Sequence, residues 1–564
     1  MTQPTMTQPT MTQPTMTQPP MSKRTNPRRR MRRQRRAMAV GSVVVAASLS
    51  LSACSSSAKS SASTGGGSGS SFPTSHTLTL SFLQDPGQPP DPAVYYAGEG
   101  IILQDNMYDG LVQYAGGTAA RRVIPDLATS WTTSSDSTTF TFQLRQGVTF
   151  HDGNAFDSSS VAPSFARDAA VNGGPAYMAQ DVASITPEGP YTVVIKLNAP
   201  NTSFLDYLAS AYGPRIYSPS GLAAHAGTDH DQTYLTTHDL GTGPYTLTKA
   251  QVGVDYQLTA YAGYWGTKPY YTSVDLPVVD NLNTEELEFQ HGQIAAILHD
   301  LTSQAIISYS HDKSVVEYSL PTLTVELAYL NPASSFLTTS ANRLALVEAI
   351  DQKQIVADVY NGHGTLGATA YPASLLPQGL GVQSYPYNPG ALKKLVATVP
   401  SSQRSFTIGY DTGSPDDQLI ASLMTDQLDA AGLSVKSVGY QTSTIYGWAP
   451  PGNPSGAPDL LVEYGWPDAY DPYQWAHIDF DPNGGINFLH CGVPNSGDQL
   501  SQAVSTGDLT LFGKVGDEAV QTGCYMNIAN RNDVFVAQPW LKGVTAGHVA
   551  AYPYSLNLTA LYPG

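Results

Sequence analysis

The chain has 564 residues, with 28 Lys and Arg against 45 Asp and Glu and a formal net charge of −17. So acidic a chain lacks the counter-charge needed to bind nucleic acid or adhere to an anionic lipid surface. Only 13% of its residues are charged, while 50 are Gly, 41 Pro and 33 Tyr: a loop-rich, aromatic globule, long enough to need two or more hydrophobic cores.

The first twenty residues repeat MTQPT three times and then MTQPP, a Pro-, Gln- and Thr-rich period that cannot bury a core. Each repeat brings a Met, and Met21 is the expected start of translation. Residues 23–36 hold nine Lys or Arg and no acid, and residues 37–53 form an uncharged run containing VVVAASLSLSA. That pattern is a signal peptide, too short and too rich in Ser, Ala and Gly for a transmembrane helix. It ends Leu51-Ser52-Ala53-Cys54, which resembles a bacterial lipobox, whose cysteine is lipidated and becomes the first residue. The alternative is an ordinary cleavage site that precedes a Cys. Two or more acyl chains on Cys54 would fix the protein stably to a membrane, at roughly 0.8 kcal/mol per buried methylene. The Arg-Arg pairs leave a twin-arginine export route open. Residues 55–71, almost entirely Ser, Gly, Ala and Thr, read as a flexible tether, and the folded part begins near Phe72. Without the nine basic residues, 19 positive side chains face 45 acids, a balance of about −26. With Cys54 carrying lipid, Cys491 and Cys524 remain, an even pair expected to form a disulfide in an exported chain. Across 33 positions, chain entropy gives such a bond roughly 3 to 4 kcal/mol. The competing metal site is weak, because no Cys or His stands at ligand spacing.

Residues 76–82, HTLTLSF, alternate as a strand, and 101–111, IILQDNMYDGL, read as a helix running into a turn. In 138–144, Phe140, Phe142 and Leu144 fall on one face and Thr139, Thr141 and Gln143 on the other, a half-buried strand. A second strand over 148–150, stopping at the turn His151-Asp152-Gly153-Asn154, should complete a hairpin with it. The oxygens of Asp157 to Ser160 then cap a helix from Val161. His151 beside Asp152 offers the residue types of a general base and its orienter, but neighbours on a glycine turn rarely face one another, and no catalysis is assigned to them.

Pro125, Leu127, Ala128, Ser130, Trp131, Leu144, Arg145, Gly147, Val148, Phe150, Asp152 and Gly153 stand in the order P-x-L-A-x-S-W, L-R, G-V-x-F-H-D-G. This order resembles the signature of the family 5 extracellular solute-binding proteins, the peptide, dipeptide and nickel-type receptors of ABC importers. Further on, Gly241-Thr242-Gly243-Pro244-Tyr245 leads into a strand over 246–249, and Tyr264 to Pro269 follows, both as the resemblance requires. Residues 191–197 read as strand and 201–212 as helix; His225, His230 and His238 lie in a polar loop with Asp229 and Asp231, at no standard metal spacing. Residues 286–294 resemble a family helix end, although His299-Asp300 comes later than its usual Asp. A linking strand over 325–331 enters the second lobe. An amphipathic helix is expected over 343–360, ending at Asn361-Gly362, with further helices over 391–396 and 418–433 and a strand over 434–438. Residues 459–472, DLLVEYGWPDAYDP, are a buried strand emptying into a loop with two carboxylates and an aromatic, Trp466, which is a candidate ligand contact.

The resemblance implies an α/β, two-lobed periplasmic-binding-protein-like fold (type II, large peptide-binding subclass) with an accessory domain inserted in the first lobe. Its implied divisions are 72–116, 238–324 and the tail 531–564 for lobe I, 117–237 for the accessory domain and 325–530 for lobe II. It implies no enzyme and no cofactor, but a monomeric, lipid-anchored receptor on the extracytoplasmic face. Such a receptor captures a small solute or peptide and presents it to the ABC permease. In the peptide-binding relatives the Asp before the Asp-Pro pair neutralises the ligand's α-amino group, which maps to Asp468; the spacing from Trp466 keeps Asp471 open as the alternative, and both Asp are also ordinary turn formers. Met107, Tyr108, Asp109 and Gly110, with Gly243 and Tyr245, fall where the family approaches its ligand, while Met107 and Tyr108 equally suit a core. A peptide-sensing lipoprotein without transport is the alternative. An exported hydrolase is less consistent with a chain carrying neither G-x-S-x-G nor H-E-x-x-H.

Overall fold

The computed structural model describes residues 76–117, 121–299 and 301–564. The signal segment, the lipobox with Cys54, the tether, the start near Phe72 and Asp300 lie outside the described residues.

Strand Thr77–Thr79 pairs in parallel with Ser273–Pro277, far along the chain, and Asp255–Ala260 and Tyr245–Gln251 complete this four-stranded sheet. A second four-stranded, antiparallel sheet comes from the stretch between, in the order Ala128–Thr133, Thr139–Leu144, Thr192–Leu197, Val182–Pro187. Phe140, Phe142 and Leu144 are buried, as their alternation predicts. The hairpin partner differs from the sequence expectation: Thr139–Leu144 pairs with the preceding Ala128–Thr133, and residue 149 makes only an isolated bridge to Ala155. The cause is local. The Ser134 hydroxyl and the Asp136 carboxylate accept from the Thr138 amide, and Ser134 also from that of Thr139, which closes a tight turn on the earlier side. Asp157 accepts from the Ser159 amide and caps the turn that runs into helix Val161–Val171.

The largest sheet has seven strands, six in the order Ala296–Ile297, Tyr525–Ala537, Val316–Leu330, Leu460–Gly465, Ser405–Asp411, Ser434–Tyr440, with Gly364–Leu366 also on Tyr525–Ala537. The linking strand expected over 325–331 is thus the second half of a longer one. Leu320, Phe535 and Ala537 belong to the core beneath the first sheet with Leu78 and Leu258, whereas Ala328, Leu330, Met526 and Ile528 pack with Ile408 and Leu460. Two long antiparallel strands therefore run from one hydrophobic core into another, giving a two-lobed α/β molecule. Their register breaks between Pro321 and Val325, where the Thr322 hydroxyl donates to the Arg531 carbonyl at 2.9 Å.

The single helix expected over 343–360 is two, Ser340–Val347 and Gln352–Tyr360. Asp351 makes the break by accepting from the Gln354 amide at 3.1 Å, which starts a new helix although the apolar periodicity continues across it. Asn361, at φ 50°, ends the second helix. Cys491 and Cys524 are disulfide-bonded, with Cα atoms 6.2 Å apart. Among the described residues, no helix is long and apolar enough to cross a membrane.

Candidate binding site around Asp468

Strand Leu460–Gly465 lies inside the large sheet, so its end delivers Trp466, Pro467 and Asp468 to a fixed place. Asp468 is buried. Its Oδ2 accepts from the Tyr177 hydroxyl at 2.6 Å and from the Tyr96 hydroxyl, and its amide donates to Gln474 Oε1 at 2.9 Å. The Ser210 hydroxyl donates to its carbonyl. Burial pushes the carboxyl up to about 6, against the hydrogen bonds from Tyr177, Tyr96 and Gln474, which hold it down. Among the described residues no Lys or Arg forms an ion pair with Asp468. A buried carboxylate held by neutral donors retains most of its attraction for a cation.

Aromatic side chains surround it. Trp466 Nε1 donates to the Tyr212 hydroxyl at 3.3 Å, and the Tyr212 hydroxyl donates to the Ala97 carbonyl. Tyr96 and Tyr212 meet edge to face at 5.1 Å, and Trp466 meets Tyr554 in the same way at 6.3 Å. The donors to Asp468 come from residues 96 and 177, ahead of both long crossing strands, and the carboxylate from the large sheet beyond. The site therefore joins separate parts of the chain. Beside it lies a cavity of about 180 Å³ to which Tyr96, Tyr177, Tyr207 and Tyr473 contribute.

Asp471, three residues on, has a different job. It caps helix Pro472–Asp479 by accepting from the Gln474 amide at 3.1 Å. Burial, then nearby Asp206, pushes its carboxyl up to about 6.

The other expected residues form a separate group. Met107 and Tyr108 are buried in the core under the first sheet, and the Tyr108 hydroxyl accepts from the Leu240 amide. Asp109 accepts from Trp265 Nε1 and the Thr242 hydroxyl, both at 2.8 Å, and burial raises its carboxyl despite these bonds. The Gly110 amide donates to Asp126 Oδ2, and Tyr245 donates to the Tyr271 carbonyl. A Cβ on Gly243 would come within 2.6 Å of the Met107 carbonyl carbon, so glycine is required there for close packing. His151 turns away from Asp152: its Nδ1 meets Asp239 and its Nε2 bonds the Gly243 carbonyl at 2.9 Å, tying the turn to the same loop. His225 and His238 stack on Tyr234, at 3.6 and 4.3 Å.

Thus the structure gathers Trp466 and Asp468 with Tyr96, Tyr177 and Tyr212, which sequence reading did not single out. Tyr96 and Tyr177 sit in no motif and in no element read from the sequence, and Tyr212 is only the last residue of a stretch read as helix. The Tyr95-Tyr96 pair and the high tyrosine content were the available signals.

The family model described as "Bacterial extracellular solute-binding proteins, family 5 Middle" matches residues 122–487. The chain is 26% identical over 420 residues to the probable D,D-dipeptide-binding periplasmic protein of Escherichia coli (strain K12), covering 73% of this chain and 80% of that one. It is 24% identical over 492 residues to the nickel-binding periplasmic protein of the same strain, covering 81% and 89%. Among solved structures, the dipeptide binding protein from Pseudoalteromonas sp. SM9913 in complex with Met-Leu superposes with TM-score 0.73 at 19% identity, over 86% of this chain and all (100%) of that one. At that identity the superposition speaks for the fold. The fold and the matched span of well over half the chain make this protein a member of the family 5 bacterial extracellular solute-binding proteins.

Proposed function

We propose that the protein is the lipid-anchored, extracytoplasmic substrate-binding component of an ABC importer, that it acts as a monomer, and that its ligand is a dipeptide or oligopeptide with a free amino terminus. The observation that carries the peptide reading is Asp468: a buried carboxylate, hydrogen-bonded by neutral hydroxyls and ion-paired with no Lys or Arg among the described residues. An ammonium entering there exchanges hydration for a charge-assisted bond. Relatives named for dipeptides and for di- and tripeptides favour the same ligand class. The lipobox supports the anchor. The proposed division is lobe I in 72–116, 238–324 and 531–564, the accessory domain in 117–237 and lobe II in 325–530.

Native mass spectrometry of the protein as purified from its own cells tests the ligand class. A bound mass that fragments as a peptide is expected. A bound metal chelate or sugar, with no response to any peptide in calorimetry, would contradict the reading.

A further inference from the structure

The cavity beside Asp468 has a composition of its own. Tyr96, Tyr177, Tyr207 and Tyr473 line it, with Asp181 and His477 at its exposed side, and none of the lining residues is Lys or Arg. Tyr177 and Tyr207 meet edge to face at 6.2 Å; Tyr473 and His477 are stacked within 3° of parallel. Tyr473 and His477 share helix Pro472–Asp479, while Tyr177 sits in the short 3-10 helix Gly174–Ala179, followed closely by Asp181. Tyr96 and Tyr177 serve both places, since their hydroxyls donate to Asp468 and both line the cavity. A ligand anchored at Asp468 therefore has this cavity next to its first residues.

Such a lining has a definite preference. Tyrosine faces carry the negative part of the ring quadrupole, and a cation within about 6 Å of a ring centroid is attracted to it. A carboxylate at the mouth adds to the same sign, and no Lys or Arg in the lining competes. An apolar side chain would also fill the space, but it would gain nothing from the ring faces or from the Asp181 carboxylate.

We propose that this cavity is the ligand's side-chain subsite and that it selects an organic cation, the guanidinium of arginine or the ammonium of lysine. This deepens the peptide reading and rests on it for the anchoring at Asp468.

The test compares Arg-Ala-Ala and Ala-Arg-Ala with their citrulline counterparts, which keep the shape and lose the charge, by calorimetry on the mature protein. At one of the two positions arginine should bind about tenfold or more tighter than citrulline. In Asp181→Asn and Tyr473→Leu that ratio should fall towards one; because it is a ratio, any general loss of folded protein cancels. Equal affinities at both positions, or a ratio untouched by both substitutions, would overturn the proposal and leave the peptide reading standing. If none of the four peptides binds, the peptide reading fails instead, and saturation-transfer NMR with butylguanidinium against butylurea then decides the cavity alone. A signal selective for butylguanidinium and lost in Tyr473→Leu supports the subsite, and equal signals reject it.

Discussion

Asp468 and Asp471 stand three positions apart with similar burial, and both carboxyls are pushed up to about 6 from the ordinary 3.8; so is that of Asp105, which burial raises against its bond from Arg215. Each binds a proton more tightly in the fold than in the unfolded chain. Acidification from about pH 7.5 to about pH 5 therefore protonates the folded state first and stabilises the ligand-free protein, and that gain is lost as the pH rises through about 6. His151, raised by Asp239 although burial opposes it, contributes with the same sign. Ligand binding runs the other way, because an ammonium needs Asp468 ionised. Thermal melts of the free protein should show a higher Tm at about pH 5 than at about pH 7.5, while affinity for a free-amino peptide falls about tenfold per pH unit below 6. Affinity for an N-acetylated peptide should show no such fall. Tyr177→Phe removes one donor that holds the Asp468 carboxyl down, so the midpoint of the affinity profile should move to higher pH; a midpoint that stays put or drops would contradict the assignment of that bond.

At the scale of elements, the helix caps and strand alternations were legible because their causes are local. Asp157 and Asn361 each act within a few residues of themselves. What the sequence did not reveal is where a local signal competes with a continuous pattern, or where the partner is distant. Thr139–Leu144 has two free edges, and no periodicity tells which neighbour takes which; Asp351 interrupts a continuous apolar stripe that reads as one helix. The site divided in the same way. Asp468 was legible from the resemblance to a motif, whereas Tyr96 and Tyr177 reach it from 372 and 291 positions away. The disulfide belongs to this scale too. It joins the segment after helix Pro472–Asp479 to the start of strand Tyr525–Ala537, where the Tyr525 hydroxyl donates to the Cys491 carbonyl. Replacing both cysteines by serine should cost roughly 3 to 4 kcal/mol in denaturant unfolding. A loss below about 1 kcal/mol would mean that the segment is held by its packing alone.

At the scale of the whole molecule, the strands Val316–Leu330 and Tyr525–Ala537 are the route from one hydrophobic core to the other, and their pairing is irregular at Pro321 to Val325. A rotation absorbed there would open the place where Tyr96 and Tyr177 meet Asp468. A ligand touching both sides binds the closed arrangement better and shifts the population towards it. Small-angle scattering should then show a smaller radius of gyration with a bound peptide than without, and an unchanged radius with a proven ligand would exclude the hinge. The account as a whole turns on whether Asp468 is the partner of a ligand ammonium. A double-mutant cycle measures this directly, combining Asp468→Asn with N-acetylation of the peptide in calorimetry. The account predicts that either change alone weakens binding by roughly 2 to 5 kcal/mol, and that acetylation costs the Asp468→Asn protein very little. Equal losses on acetylation in the two proteins would contradict it.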